Sequence, residues 1–427
     1  MKTLIKNCNL ISVSENREKY EKNIDILIVD NKIKKIEKYI KEENLDKIID
    51  AKGKIVMPGL INTHAHIPMS IFRDTLDGYG LQEWLNDKIW PMENKLKEED
   101  IYYASLLSCI EMIKSGTTTF NDQYFMPEAI IKAIIQTGIN GHLTRTLMDI
   151  NGNADERIRE LEDLLVKYDN YNDNVKINVG VHSLYTCTKD CVQKAVKLAQ
   201  KYNTYIHMHF AENSTELEDI EKLHNTEIPI NILVEYFKEI DIVLAHCVKI
   251  KKEEIKKLRE INSSVAHCPV SNLKLGCGIA PIKEYLEQGV NVALGTDGQG
   301  SGNNLNMFQV MAYTALLQKG INENAKILPA YDVIKMATIN GAKALRIEEK
   351  TGSVEEGKNA DLIIIDLNSA ITQPVNDIFS NIVYNVEPIN VITTIINGKI
   401  VMENHKIANI DEENIYKRCK SIIDAIS

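Results

Sequence analysis

Several features are missing from this chain, and each absence excludes a class. No Cys-x-x-Cys pair occurs among the eight cysteines, Cys8, Cys109, Cys187, Cys191, Cys247, Cys268, Cys277 and Cys419. Cys187 and Cys191 stand four apart without a matching second pair, so reduced thiols are expected rather than a disulfide framework. No window of about 18 apolar residues appears, which argues against a membrane-spanning helix. The N-terminus carries Lys2 and Lys6 and no long uncharged apolar run, so no signal peptide is expected. Internal repeats and low-complexity segments are absent. So is an excess of positive charge: 50 Lys and Arg stand against 60 Asp and Glu, a net charge of −10. That balance argues against a broad nucleic-acid surface. The Lys-rich stretches near 32–46 and 249–258 alternate with Glu and apolar residues, the pattern of solvated faces. Together these absences lead us to expect a cytoplasmic protein.

What is present is core-forming material. The chain has 427 residues and is 44% hydrophobic, enough for a large buried core. Residues 1–57 look like short strands with turns. Ile24, Ile26 and Ile28 fall on one face at period two. Ile33, Ile36 and Ile40 fit a helical face equally well, but Asp30-Asn31 before them favours a turn into a strand at 32–36. Near the other end, apolar runs flank Asn397-Gly398, a hairpin signal, and a helix is expected within 403–427. Neither terminal piece can enclose a sizeable core alone. We expect 1–57 and 350–427 to pair into one small β-sandwich domain. Residues 58–349 alternate strand and helix. Strands are expected at 55–61, 117–121, 141–147, 175–181, 205–210, 242–246, 264–268 and 290–296. Helices are expected between them at 98–114, 126–137, 188–201, 214–222, 228–238 and 251–260. Eight parallel strands with interleaved helices predict an α/β fold, a (β/α)8 TIM barrel with its active site at the strands' C-terminal ends.

The chemistry-bearing residues fall at those ends. His64 and His66 are two apart after a buried-looking strand, so both imidazoles can face one ion; the bland alternative is a surface turn with two solvated histidines. His207 and His209 share a strand face, and His209 lies nearer the strand end, leaving His207 as a packed or supporting imidazole. Glu212, three residues on, is a candidate proton carrier; the alternative is a solvated loop carboxylate, since Glu216 and Glu218 follow soon after. His246 ends a strand, and Asp297 ends another inside Gly295-Thr296-Asp297-Gly298, where an ordinary turn Asp is the alternative. His267 reads as a substrate contact or a hydrogen-bonded structural residue. His142, His224 and His405 have no supporting context. One His-x-His is weak evidence; the whole series at barrel spacing points to a metal-dependent hydrolase or deaminase.

With these residues assembled, the chain resembles the amidohydrolase superfamily, and within it the 5′-methylthioadenosine/S-adenosylhomocysteine deaminase branch. The resemblance spans nearly the whole chain. It is carried by Met57-Pro58-Gly59-Leu60-Ile61-Asn62-Thr63-His64-Ala65-His66, Trp90-Pro91-Met92-Glu93, Val181-His182-Ser183-Leu184-Tyr185-Thr186-Cys187 and His267-Cys268-Pro269-Val270-Ser271-Asn272-Leu273-Lys274-Leu275. It implies that His64, His66, His209 and Asp297 bind one divalent metal ion, zinc first, with iron(II) or manganese(II) as other occupants. It implies catalytic roles for Glu212, His246 and Asp297. It also implies that Glu93 contacts the ribose hydroxyls, that His182 binds the nucleoside, and that Arg145 and Arg157 face a homocysteine carboxylate with Ser301 near the same end. Glu212 contacts the base as well. An ordinary surface ion pair is the alternative for either arginine. After Asp297 this chain has Gly298-Gln299-Gly300-Ser301 and Asn306 where the family more often has an Ala-Ser-Asn-Asn run and an Asp, and this loop borders the substrate tail.

The expected reaction is hydrolytic deamination at C6 of an adenine nucleoside: methylthioadenosine, S-adenosylhomocysteine, adenosine or 5′-deoxyadenosine. Rival readings are deamination or dechlorination of another electron-poor ring (guanine, pterin, triazine), or a non-catalytic relative that keeps the barrel as an assembly module. The expected partner is a small nucleoside, with neither nucleic acid nor membrane. A homo-oligomer is in keeping with the family. The loop at 67–95, with Trp84 and Trp90, is a candidate lid.

Overall fold

Buried parallel strands are near-continuous apolar runs, because helices cover them on one side and the barrel interior on the other. Eight parallel barrel segments, several of them such runs, occur in the computed structural model, which describes residues 1–75, 77–150 and 152–426. They are Leu60–Ala65, Thr117–Asp122, Asn140–Leu143, Val175–Ile177 continued by Val179–Ser183, Ile206–Phe210, Ile242–His246, Ser263–His267 and Asn291–Leu294. Neighbours pair in parallel within two sheets, one of the first four strands and one running from Val179–Ser183 to Asn291–Leu294. Hydrogen bonds join the sheets at both seams. The Asn178 amide donates to Leu143 O and the His182 amide to Leu147 O. On the other side the Asp297 amide donates to His64 O. There Asn62 also exchanges side-chain bonds with Thr296, at 2.7 and 3.0 Å. The arrangement is an α/β fold of TIM-barrel type.

The helices follow the pattern that the sequence predicts. Glu98–Lys114 matches the expected range, and Pro127–Thr137, Lys189–Lys201, Ser214–His224 and Pro229–Phe237 lie within a residue or two of theirs. The expected helix at 251–260 is a short 3-10 turn, Lys252–Glu254, running into Ile255–Glu260. Tight contacts explain a glycine in the leading strand: a Cβ on Gly59 would lie 2.2 Å from the Thr118 side chain. At the bottom of the barrel Ile61, Tyr205, Val243, Ala266 and Ala293 pack together. Above them Asn121, Asn178 and Tyr205 bond to one another at 3.0–3.2 Å, satisfying polar groups that water cannot reach.

Both ends of the chain share one nine-stranded sheet. Its path runs from the C-terminal hairpin through Leu362–Ile365 to Ile55–Pro58, then Lys2–Leu10, Glu21–Val29 and Lys32–Glu37. The ambiguous segment is therefore a strand, entered through Asp30 at φ 55°. Strand wins over helix because Ile33 and Ile36 join Ile26, Ile28, Leu362 and Ile364 in a separate core. Asn397-Gly398 makes the hairpin between Val391–Ile396 and Lys399–Glu403, both residues at positive φ. The chain closes with a helix, Glu412–Ile426, packed on Glu98–Lys114. Among the described residues no helix is long and apolar enough to cross a membrane.

Candidate active site

Where the barrel strands end, five side chains converge. His64, His66 and His209 offer ring nitrogens within 4.8 Å of one another, and His64, His246 and Asp297 form a second such group. His66 Nε2 lies 3.2 Å from His209 Nε2 and 3.2 Å from Asp297 Oδ1, and His64 Nε2 lies 3.6 Å from the same oxygen. A tetrahedral ion with metal–nitrogen bonds of about 2.0–2.1 Å spaces its ligand atoms by roughly 3.3 Å. The remaining ring nitrogens are already committed. His66 Nδ1 donates to Gln123 O at 2.6 Å and His209 Nδ1 to His182 O at 2.7 Å. His64 Nδ1 pairs with His207 Nε2 at 2.8 Å. These bonds fix the tautomers of His66 and His209 so that Nε2 is free to bind a cation. His64 Nε2 is buried and has no protein partner, as a ligand atom awaiting an ion would be. Burial holds all three imidazoles neutral, with His64 pushed down to about 3. Three neutral imidazoles and a carboxylate fit a divalent metal ion.

Local backbone places these groups. His246 and Asp297 have φ of 73° and 62°, in the left-handed region that L-residues seldom occupy. Glycines beside Asp297 allow close approach: a Cβ on Gly295 would meet His64 and Cys268 at 3.0 Å, and one on Gly298 would meet Met69 Sδ at 2.7 Å. The Asp297 carboxylate takes hydrogen bonds from Ser271 Oγ at 2.6 Å and Ser301 Oγ at 2.9 Å, both on Oδ2. Burial opposes its ionisation, but the neighbouring His64, His66 and His246 override this and hold it well below the usual carboxylate range.

Glu212 is 6% exposed. Burial, reinforced by the negative charges of Asp297 and Glu216, raises its carboxyl well above the usual range. Cys277 Sγ reaches its Oε1 at 3.8 Å. His246 Nδ1 lies 3.6 Å from Glu212 Oε1 and 2.8 Å from Asn272 Oδ1. Glu216 is not part of a solvated acidic loop. It is 1% exposed and accepts bonds from the Glu212 and Ala211 amides and from Ser183 Oγ, because the helix Ser214–His224 turns it back under the site.

A pocket opens above this floor. Its wall includes Trp84, Leu85, Glu93, Phe125, Met148 and His182. Glu93 accepts a 2.5 Å bond from Tyr124 Oη, and burial raises its carboxyl to about 7 against the pull of that bond. His182 Nδ1 pairs with Thr186 Oγ1 at 2.9 Å. The candidate lid lies along this wall, with Trp84 4% exposed in the turn Trp84–Ile89; Leu76 of that loop lies outside the described residues. Three residues singled out from the sequence are not on the wall. Ser301 is turned to Asp297. Arg145 is bound to Glu160 at 2.9 Å, and Arg157 Nη1 donates to Met148 O. His267 is 1% exposed and also off the wall, and His142 is buried against Tyr205 Oη at 3.1 Å.

Gln123, Ser271, Asn272, Glu216 and Cys277 complete the site; the sequence assigned none of them a role, although Ser271 and Asn272 lie in a motif that carries the resemblance. They act through hydrogen bonds spanning up to 65 residues of chain, apart from Glu216, whose i, i+4 spacing to Glu212 was a usable signal.

Comparisons with known proteins agree with this geometry. The profile of the amidohydrolase family matches residues 55–401. A 5′-deoxyadenosine deaminase of Methanocaldococcus jannaschii is 44% identical, over 95% of this chain and 97% of that protein. A 5-methylthioadenosine/S-adenosylhomocysteine deaminase of Caldanaerobacter subterraneus is 40% identical, over 99% of each. Among solved structures, an adenosine deaminase from Xanthomonas campestris with bound zinc superposes with a TM-score of 0.94 at 26% identity, covering 99% of this chain and 98% of that one. An atrazine chlorohydrolase from Arthrobacter aurescens complexed with zinc has the same fold, with a TM-score of 0.92 at 24% identity, covering 99% and 100%. By its matched profile and its near-full-length relatives, this chain belongs to the amidohydrolase family, whose members are metal-dependent.

Proposed function

We propose that this protein is a metal-dependent aminohydrolase that removes the C6 amino group of an adenine nucleoside, giving ammonia and the inosine-type product. The observation that carries the reading is a buried Glu212, its carboxyl raised by burial, facing the same pocket as a clustered histidine and aspartate ligand set. The names of the near-full-length relatives support the substrate class. His64, His66, His209 and Asp297 would hold the ion, zinc by preference since the Xanthomonas structure carries it. Bound there, a divalent ion supplies a Lewis acid that makes water nucleophilic near neutral pH. Asp297, ionised and steadied by Ser271 and Ser301, accepts the proton that the attacking water gives up. Glu212 donates its proton to the ring nitrogen next to C6, which makes that carbon more electrophilic. His246, fixed by Asn272, supports the charge that develops at C6. Glu93 accepts the ribose hydroxyls and His182 contacts the nucleoside from the pocket wall. Asp297 passes its proton to the departing amine and the C6 hydroxyl proton goes back to Glu212, so ammonia leaves, the carbonyl forms and both carboxyl groups are restored.

Residues 58–349 serve as the catalytic domain, and 1–57 with 350–427 form a second domain. Its enclosed core of Ile5, Ile26, Leu362 and Ile364 supports the two-layer sandwich reading. The test is ammonia release, with loss of adenine absorbance, from four adenine nucleosides and from guanine and triazine rings, using protein of known metal content. Glu212→Gln should cut turnover by on the order of 10²–10⁴ while metal content stays normal. Unchanged turnover in this variant would remove Glu212 from the mechanism.

A further inference from the structure

Any nucleoside accepted here must lay its 5′ substituent along the pocket wall, and that wall bears no lysine or arginine among the described residues. Its outer part is apolar: Trp84, Leu85, Ile89, Phe125, Met148 and Leu275. Two guanidinium groups sit directly behind it. Arg145 lies over the Phe125 ring, 5.6 Å from its centroid, and donates to Thr146 O at 3.2 Å. Arg157 donates to the carbonyl of Met148. Phe125, Thr146 and Met148 all line the pocket, so both cations are one residue away from it.

A carboxylate holds Arg145 back. Glu160 Oε2 accepts from Arg145 Nε at 2.9 Å. Glu160 and Arg157 are three apart on the helix Ala154–Lys167 and share a face. The negative charge of Glu160 reaches Arg157 as well as Arg145. An anionic tail has to compete with this internal anion for the same guanidinium groups, whereas a neutral tail meets an apolar wall that is already formed.

Resting on the proposed reaction, we infer that Glu160 is a specificity-determining residue that occupies Arg145, and through its charge bears on Arg157, turning the pocket toward nucleosides with an uncharged 5′ group, such as 5′-deoxy or 5′-methylthio, over those ending in a carboxylate. Glu160 touches neither the metal ligands nor the pocket wall, and its side chain is 48% exposed, so its replacement leaves the fold and the reaction centre in place.

The experiment compares kcat/KM for S-adenosylhomocysteine and 5′-deoxyadenosine in zinc-loaded wild type, Glu160→Gln and Glu160→Asp, with thermal melting as the check on folding. Wild type should favour 5′-deoxyadenosine. Glu160→Gln should raise the ratio of S-adenosylhomocysteine to 5′-deoxyadenosine turnover by about three- to fivefold, the scale of releasing one partly exposed ion pair. The 5′-deoxyadenosine value should stay put, and Glu160→Asp should keep the wild-type ratio. Wild type that prefers the carboxylate-bearing nucleoside, or an unmoved ratio in Glu160→Gln with deamination intact, overturns this inference alone. Absence of deamination on every adenine nucleoside overturns it together with the reaction it rests on.

Discussion

The floor of the pocket and its rim are built on different principles. On the floor, His64 is fully buried and Asp297 is 7% exposed at the side chain, and His64, His66, His209 and Asp297 are each oriented by hydrogen bonds from buried partners. At the rim, Arg145 is steadied by a carboxylate that is 48% exposed. Buried bonds are stiff and costly to break, whereas half-solvated ion pairs contribute little and exchange readily. The proposed chemistry therefore rests on the floor, where geometry must not drift, and the proposed substrate choice on the rim, where a half-solvated charge can be exchanged at little cost.

This contrast can be broken most severely at Asp297. Asp297→Asn removes the group proposed both to bind the metal and to take the proton, and turnover should fall by on the order of 10³-fold or more. Steady-state rates together with metal analysis check this, and near-normal activity would show that another group takes the proton. A step outward, His207→Leu removes the ring that orients His64. Metal affinity should fall by roughly 10–100-fold, read by competition with a chelating dye. Unchanged affinity would mean that His64 is held by its backbone alone. The smallest effect concerns pH. Burial raises the Glu93 carboxyl to about 7, and the ribose contact proposed for it calls for the ionised, acceptor-only form. As pH falls through this value the group gains a proton, so kcat/KM should decline on the acid side through KM. Glu93→Gln should lower kcat/KM overall and flatten that limb. An acid limb that survives the substitution belongs to a different residue.

Much of this was legible in the order of residues. Period-two and period-3.6 patterns located the barrel strands and the longer helices, because burial on one face leaves its mark locally in composition. His64, His66, His209, His246 and Asp297 were legible too, since each ends an apolar run and a barrel gathers strand ends on one rim. For Glu212 the sequence left a solvated loop carboxylate open, because Glu216 and Glu218 follow it; the structure buries Glu212, and the turn into the helix Ser214–His224 carries Glu216 inward as well.

By itself, the sequence determined which side chains are available and at what spacing along the chain, which is enough to set fold class and reaction class. Only the tertiary structure decided which nitrogen of each histidine is free, that Ser301 serves Asp297 in place of the pocket, and that Arg145 faces Glu160. The reason is physical: tautomers, hydrogen-bond partners and ion pairs are set by atoms a few ångströms apart in space, and those atoms come from strands and helices dozens of residues apart in the chain.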